Sequence, residues 1–562
     1  MEKPIIYQVF PRLFGNDFRT CQPWGDMKTN GCGTMADFTL HALQQIRSLG
    51  VTHVWYTGVI EHATQSDHSL YGIQRSHPSV VKGRAGSPYA ITDYYDIDPD
   101  IATSIPARMK EFEALVERTH QEGMKVIIDF VPNHVAREYH SDQLPESETD
   151  LGKGDDCSMA FSPMNNFYYI PGQQLNIEGV DLAGYYEQPA RATGNDQFTA
   201  TPNRNDWYET VKLNYGVDYQ NGRTCHFSPI PRTWKQMLHI LLFWASKGID
   251  GFRCDMAEMV PVEFWKWAIT QVKALHPEII FIAEVYNPME YRNFINQGHF
   301  DYLYDKVGMY DCLRSVTQGY IQASEITQRW QDVDDIREHM LNFLENHDEQ
   351  RLASDFFAGD GEFGRAPLIV SATLGTGPFM LYFGQELGER GMDSEGFSGR
   401  DGRTTIFDYW TVDSIRRWRN FGRFDNRQLT PKEVSLQQFY SRVLTLCNTE
   451  PVIREGQMYD LMYANLRNPE FNPGKQFAYV RRLGRELILV VVNFDDKDVE
   501  VGLNIPKHMF EFFGLQESCS LNADGLISGC PFHISFCSNL PTHLLVPAHN
   551  GRMLKFSLDE ES

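Results

Sequence analysis

The chain has 562 residues and a formal charge of −23, from 51 basic and 74 acidic side chains. Nucleic-acid binding draws on clustered Lys and Arg, so this balance argues against a nucleic-acid partner and against an anionic polymer as substrate. With 42% hydrophobic and 22% charged residues, the chain can bury a large core and gives no case for global disorder.

The ten cysteines form no CxxC pair and no zinc-like spacing. They read as reduced, structural thiols of a reducing compartment. The first residues, MEKPIIYQVFPRLF, lack the charged lead, apolar stretch and small-residue cleavage site of a signal peptide. The longest apolar runs, such as Leu487 to Val492, are strand-sized, so no membrane span is predicted. A cytoplasmic location is the expectation.

In chain order, strands are predicted at Ile5–Phe10, His53–Tyr56, Val126–Phe130, Ile249–Phe252, Ile279–Ala283, Asp301–Tyr304, Leu341–Leu344 and Phe379–Phe383. Helix-period stretches lie between most of them: Ala36–Leu49, Pro106–Gln121, Thr233–Ser246 and Val262–Ala274. Eight buried runs separated by helices predict an α/β fold, a (β/α)8 TIM barrel, with an open doubly wound sheet as the competing architecture. The stretch 135–231 is rich in Asn, Asp, Gly, Pro and Tyr and has no convincing helix. It reads as a subdomain inserted after the third strand. Beyond residue 460 the pattern alternates, with runs at Phe477–Val480 and Leu487–Val492 joined by a hairpin signal, and further runs at His543–Val546 and Arg552–Phe556. The division expected is therefore barrel at 1–134 and 232–460, insert at 135–231, and a C-terminal antiparallel β-sandwich domain at 461–562. The acidic end, Asp559 to Glu561, reads as a solvated tail.

Four strands run into polar clusters that are odd for a core: Asn133-His134, Arg253-Cys254-Asp255, Glu284, and Asn346-His347-Asp348. In a βα barrel the carboxyl ends of different strands converge on one face, where active sites sit. Converging acids with an Arg are the equipment of a retaining glycosidase, which needs one ionised carboxylate and one protonated carboxyl. Arg253, two residues before Asp255 on the same strand face, is expected to depress the pKa of Asp255 and suit it to the nucleophile role. Glu284, after an apolar run, suits the proton donor. Asp348 is left to grip sugar hydroxyls and stabilise the developing positive charge.

These residues resemble a known family. DFVPNH (129–134), GFRCD (251–255), Glu284 in FIAEVY, and ENHDE (345–349) are similar, in order, to the four conserved segments of the α-amylase family of glycoside hydrolases. Weaker marks agree: GVTHVWYTGV (50–59), SPYAITDYYDID (87–98), KLNYG (212–216) and YFGQELG (382–388). The resemblance covers roughly residues 4 to 390. It implies Asp255 as nucleophile, Glu284 as acid/base, Asp348 as transition-state stabiliser and Arg253 as partner of Asp255. It also implies that His134 and His347 bind sugar hydroxyls, that Tyr89 stacks on the same ring, and that Asp93 helps order a loop.

Two departures stand out. Calcium-dependent members carry an Asp where Lys212 stands, so Asn133 reads as a structural hydrogen-bonding residue, and neither a metal nor another cofactor is expected. Many α-amylases continue after the nucleophile with a Lys-His pair; Glu258-Met259 stands there, which counts against endo-type binding of long polymers. Asp129 reads as a brace for the strand-end loop, and His62, His68 and His77 as solvated loop histidines. Trp207 and Tyr208 are candidates for sugar stacking or for the insert's own core, whereas Phe167–Tyr169 read as core. The function expected is retaining hydrolysis of neutral α-1,4-linked glucans such as maltodextrin, starch or glycogen fragments. A 4-α-glucanotransferase or a small-substrate α-glucosidase would use the same residues; a non-catalytic α-glucan-binding protein is the alternative of another class.

Overall fold

A computed structural model describes residues 2–517 and 521–557, and in it the eight strand candidates become the staves of one closed barrel. They are Ile5–Val9, His53–Tyr56, Lys125–Phe130, Gly251–Cys254, Ile280–Ala283, Tyr302–Tyr304, Met340–Phe343 and Phe379–Tyr382. All neighbours pair in parallel, and the eighth strand closes on the first. The competing open sheet is excluded. Each stave is short and apolar because helices cover its outer face while inward side chains fill the barrel. Ile6, Trp55, Ile127, Ile282, Tyr304, Leu341, Phe343 and Met380 form that inner cluster.

Strand periodicity then dictates what comes next. Two residues beyond the inward Ile6, Ile127 and Ile282 stand Gln8, Asp129 and Glu284, so the same face turns from apolar to polar at the carboxyl end. Arg253 sits in register with Asp129 on one side and Ile282 on the other. The fourth stave begins at Gly251, two residues later than the apolar pattern predicts, because the buried Arg253 and Cys254 belong to it. Gly251 lets its neighbours approach: a Cβ there would stand 2.7 Å from Ile280 Cγ1 and 3.2 Å from Ile127 Cγ1.

Between Ala136 and Arg232 the described chain holds no helix, only short two-stranded pairings. One of them ties His134–Ala136 to Thr210–Lys212, which fixes the insert to the end of the third stave. Val80, Leu175, Ile177, Ala190, Ala200 and Tyr208 form a small core of their own there. From Gln457 onward the chain is mostly antiparallel. A six-stranded sheet runs Gln457–Asp460, Gln476–Leu483, Glu486–Asn493, Asn550–Ser557, Leu521–Gly525 and Pro531–Ile534 in spatial order, with Val499–Leu503 and Thr542–Val546 forming a second pair. The predicted hairpin turns at Gly484, whose φ of +59° suits a residue without Cβ. Buried Arg481 fastens the sheet to the barrel, donating to the carbonyls of Thr373 (2.7 Å), Leu374 (3.1 Å), Ile453 (2.9 Å) and Gly456 (2.7 Å). The acidic end predicted to be solvated, Asp559 to Glu561, lies outside the described residues, as does Cys519. Cys21, Cys32, Cys157, Cys225, Cys254, Cys312, Cys447 and Cys530 carry free thiols.

Candidate active site

Arg253 is the hub of the polar end of the barrel. It is fully buried, with the rings of Trp55, Tyr89 and Tyr304 5.2, 5.4 and 5.5 Å from its guanidinium carbon. Its Nη1 lies 2.7 Å from Asp255 Oδ1 and 3.4 Å from Asp129 Oδ1, while Nη2 lies 2.9 Å from Glu284 Oε2. One guanidinium thus spans the carboxylates that end the third, fourth and fifth staves. From the sequence, Arg253 is expected to pair with Asp255 alone and to depress its pKa; burial instead pushes that pKa well above the usual carboxylate range, with Arg253 opposing and Glu284 adding to the rise. Removal from water outweighs the single favourable charge. Asp129 behaves similarly, raised by burial to about 6 against Arg253, and its Oδ2 accepts from Trp55 Nε1 at 2.9 Å.

Glu284 is buried and oriented from two sides. Its Oε2 accepts the Met256 N–H at 2.7 Å, and its Oε1 accepts the Tyr286 hydroxyl. Met256 holds a left-handed conformation, φ 44° and ψ 41°, which aims that N–H at the carboxylate. Glu258 accepts the N–H groups of Tyr286 (3.1 Å) and Asn287 (3.0 Å). It therefore fixes the backbone after Glu284 from a position where the family's Lys-His pair would stand.

The seventh stave ends in His347 and Asp348. His347 is buried: Gln8 Nε2 donates to its Nδ1 at 2.8 Å, and its Nε2 lies 2.7 Å from the Tyr89 hydroxyl. Tyr89 stacks on its ring, with centroids 5.1 Å apart. Burial first, then Arg253, holds His347 well below its ordinary pKa, so it is neutral. Asp348 stands at the rim with its side chain half exposed, Oδ2 3.2 Å from His347 Nε2, and its carbonyl accepts from Arg403 Nε at 2.6 Å.

His134 lies with Nε2 4.0 Å from Asp255 Oδ2, its pKa driven to about 3 by burial and by Lys212 and Lys82 nearby. Beside it, Asn133 Nδ2 donates to the Gly194 carbonyl (2.8 Å) and its Oδ1 accepts from Lys212 Nζ (2.6 Å). Lys212 is buried and its Nζ is also 2.7 Å from Asp196 Oδ1. The residues present at this position do not fit calcium, which takes oxygen ligands only; an ammonium already supplies the positive charge between the two oxygens. Among the described residues no group of three or more His, Cys, Asp or Glu is placed to hold a metal ion.

A cavity of about 160 Å³ opens over these groups, lined among others by Tyr89, His134, Trp207, Asp255, Met256, Glu284, His347 and Asp348. Arg253 and Asp129 lie beneath it. Asp93 is elsewhere: it accepts from the Tyr95 and Gln143 N–H groups and the Ser141 hydroxyl (2.8, 2.9 and 2.7 Å), which ties the start of the insert to the loop after the second stave. Tyr208 does not reach the cavity and is corrected to a packing residue; its ring is 7% exposed within the insert's core, with Lys82 Nζ 5.4 Å from the centroid. His62 and His68 are not solvated loop residues either. His62 is buried beside Arg12 and Asp98, and His68 pairs with buried Asp100 at 2.7 Å. The sequence reading missed Gln8, Tyr286, Lys82, Glu209, Ile406 and Phe407. For Gln8 there was a signal, a lone amide inside the apolar strand IIYQV.

A barrel whose strand ends gather three acids, two histidines and an arginine over one cavity is an α/β-barrel with a glycosidase-type site. The model of the alpha-amylase catalytic domain matches residues 8–427, and the chain belongs to that family. It is 24% identical over 511 residues to alpha-amylase MalA of Haloarcula japonica, covering 89% of this chain and 57% of that one. The chain thus spans little more than half the length of this relative. It is also 24% identical over 329 residues to the mouse amino acid transporter heavy chain SLC3A1, covering 58% of this chain and 37% of that one. Among solved structures, a maltogenic alpha-amylase AmyB of Thermotoga neapolitana shares the fold, with a TM-score of 0.63, 21% identity and 99% of both chains covered.

Proposed function

We propose that the protein hydrolyses α-1,4-glucosidic bonds of neutral maltodextrin-type glucans with retention of configuration. The observation that carries this reading is the sharing of one guanidinium by Asp255 and Glu284 at the floor of the cavity, with Asp348 at its rim. Held side by side on one guanidinium, Asp255 and Glu284 supply the pair of carboxyls that attack and proton transfer on one glycosidic bond require.

In the first step an Asp255 oxygen bonds to the anomeric carbon as the glycosidic C–O bond breaks, and Glu284 gives its proton to the departing oxygen. In the second, water gives a proton to Glu284 and its oxygen replaces Asp255 at the same carbon, restoring the carboxylate. Arg253 stabilises the ionised form of Asp255 against the burial that raises its pKa. Neutral His134 and His347 do not repel the developing positive charge, and His134 Nε2 is placed to meet a sugar hydroxyl, while His347 is held by Gln8 and Tyr89. Activity without calcium belongs to the same reading, because Lys212 stands in the ion's place.

The test is to trap the intermediate. Glu284→Gln, given α-maltosyl fluoride, whose leaving group needs no proton, should accumulate one maltosyl unit on the peptide containing Asp255, read by mass spectrometry. A label on another residue, or turnover by Asp255→Asn, would overturn the assignment.

A further inference from the structure

Two charged side chains of the cavity wall take no part in that chemistry. Lys82 and Glu209 both line the cavity and are 9% and 5% exposed, with Nζ 3.0 Å from Oε2. Lys82 Nζ also reaches the Asp206 carbonyl at 3.4 Å. An ammonium has three protons and a carboxylate about four acceptor positions, so both groups hold unused hydrogen-bonding capacity. A buried ion pair recovers its desolvation cost only when its remaining protons and lone pairs are also satisfied. This pair faces a cavity, and what enters the cavity can satisfy them.

Its place in the cavity narrows the ligand. His134 stands between the pair and the acids: its Nε2 is 4.0 Å from Asp255, its ring centroid is 5.3 Å from that of Trp207, and Lys82 is close enough to help keep it neutral. The leaving chain must lie against Glu284, which delivers its proton. The wall of Lys82, Trp207 and Glu209 therefore faces the sugar that stays on the enzyme. Adjacent sugar hydroxyls each donate and accept, so an ammonium and a carboxylate 3.0 Å apart match a vicinal diol.

We propose that Lys82 and Glu209 together bind vicinal hydroxyls of the glucosyl unit at the non-reducing end, with Trp207 against its ring, and so limit the number of units held on that side of the cleaved bond. This rests on the hydrolytic reading above and adds to it the determinant of chain position.

Lys82→Met and Glu209→Gln are compared with wild type on maltotetraose, and on maltotetraoses deoxygenated in turn at each hydroxyl of the non-reducing unit. Each variant is expected to raise KM about tenfold to hundredfold, the loss of one charge-assisted hydrogen bond, with kcat little changed. Deoxygenation at the contacted positions should cost wild type a similar factor, and in each variant the penalty should vanish at the hydroxyl its replaced side chain would bind. Equal deoxygenation penalties in wild type and variants, or an unchanged KM, would overturn the proposal. Calorimetric titration of the same ligands into the folded proteins makes the comparison without turnover. Wild type that binds maltotetraose but never cleaves it would refute the hydrolytic reading, while the titrations still decide the clamp.

Discussion

Replacing Lys212 by Met removes the positive charge that bridges Asn133 Oδ1 and Asp196 Oδ1 and holds the insert against the third stave. The bond to buried Asn133 is charge-assisted, and such bonds contribute about 1.5–3 kcal/mol. The Asp196 side chain is one-third exposed, so its pairing is screened and adds at most about 1 kcal/mol. Together the loss is about 2–4 kcal/mol, because Met fills the space but leaves Asn133 Oδ1 without its donor. Thermal and urea melts of wild type and Lys212→Met, each in calcium and in chelator, measure it. Wild type should melt at the same Tm in both buffers and the variant several degrees lower in both. Lys212→Asp, which turns the position into an all-oxygen set, should melt higher in calcium than in chelator. A wild-type Tm that falls in chelator, or a Lys212→Met variant that melts with wild type, would refute the reasoning.

Other substitutions test the frame and its electrostatics. Arg481→Met strands four carbonyls at the junction of barrel and C-terminal sheet and should cost about 3 kcal/mol or more in urea melts, with turnover per folded molecule preserved. An unchanged melt would mean that water replaces all four bonds. Glu61, buried and raised to about 9, stays protonated in the folded state while the unfolded chain ionises it above about 4.5. Its contribution to stability therefore falls as pH rises from 4.5 to about 9. Relative to wild type, Glu61→Gln should gain by at most about 1.4 kcal/mol per pH unit across that window and be level above it. A difference between the two proteins that does not vary with pH would show that Glu61 is ionised in the fold.

Much of the barrel was legible because short-range rules govern it. All eight staves are near their predicted places, since each needs an apolar inward and an apolar outward face over a few residues. The convergence of Asp255, Glu284 and Asp348 followed from strand ends and motifs. What escaped were contacts that join distant parts of the chain. Gln8 meets His347 across 339 residues, and Lys82 meets Glu209 from two different loops. Burial was the other blind spot. Arg253 promised a low pKa for Asp255, but only the fold shows how completely that carboxyl leaves water. The same holds for His62 and His68, whose polar, loop-like sequence gave no sign of the buried aspartates beside them.

The central claim is most directly tested by proton NMR of fresh products from maltoheptaose, with Asp255→Asn alongside. Shorter chains released first as the α-anomer by wild type, and none by the variant, are the result predicted for double displacement through Asp255 and Glu284. First release of the β-anomer, or equal turnover by the variant, would contradict it.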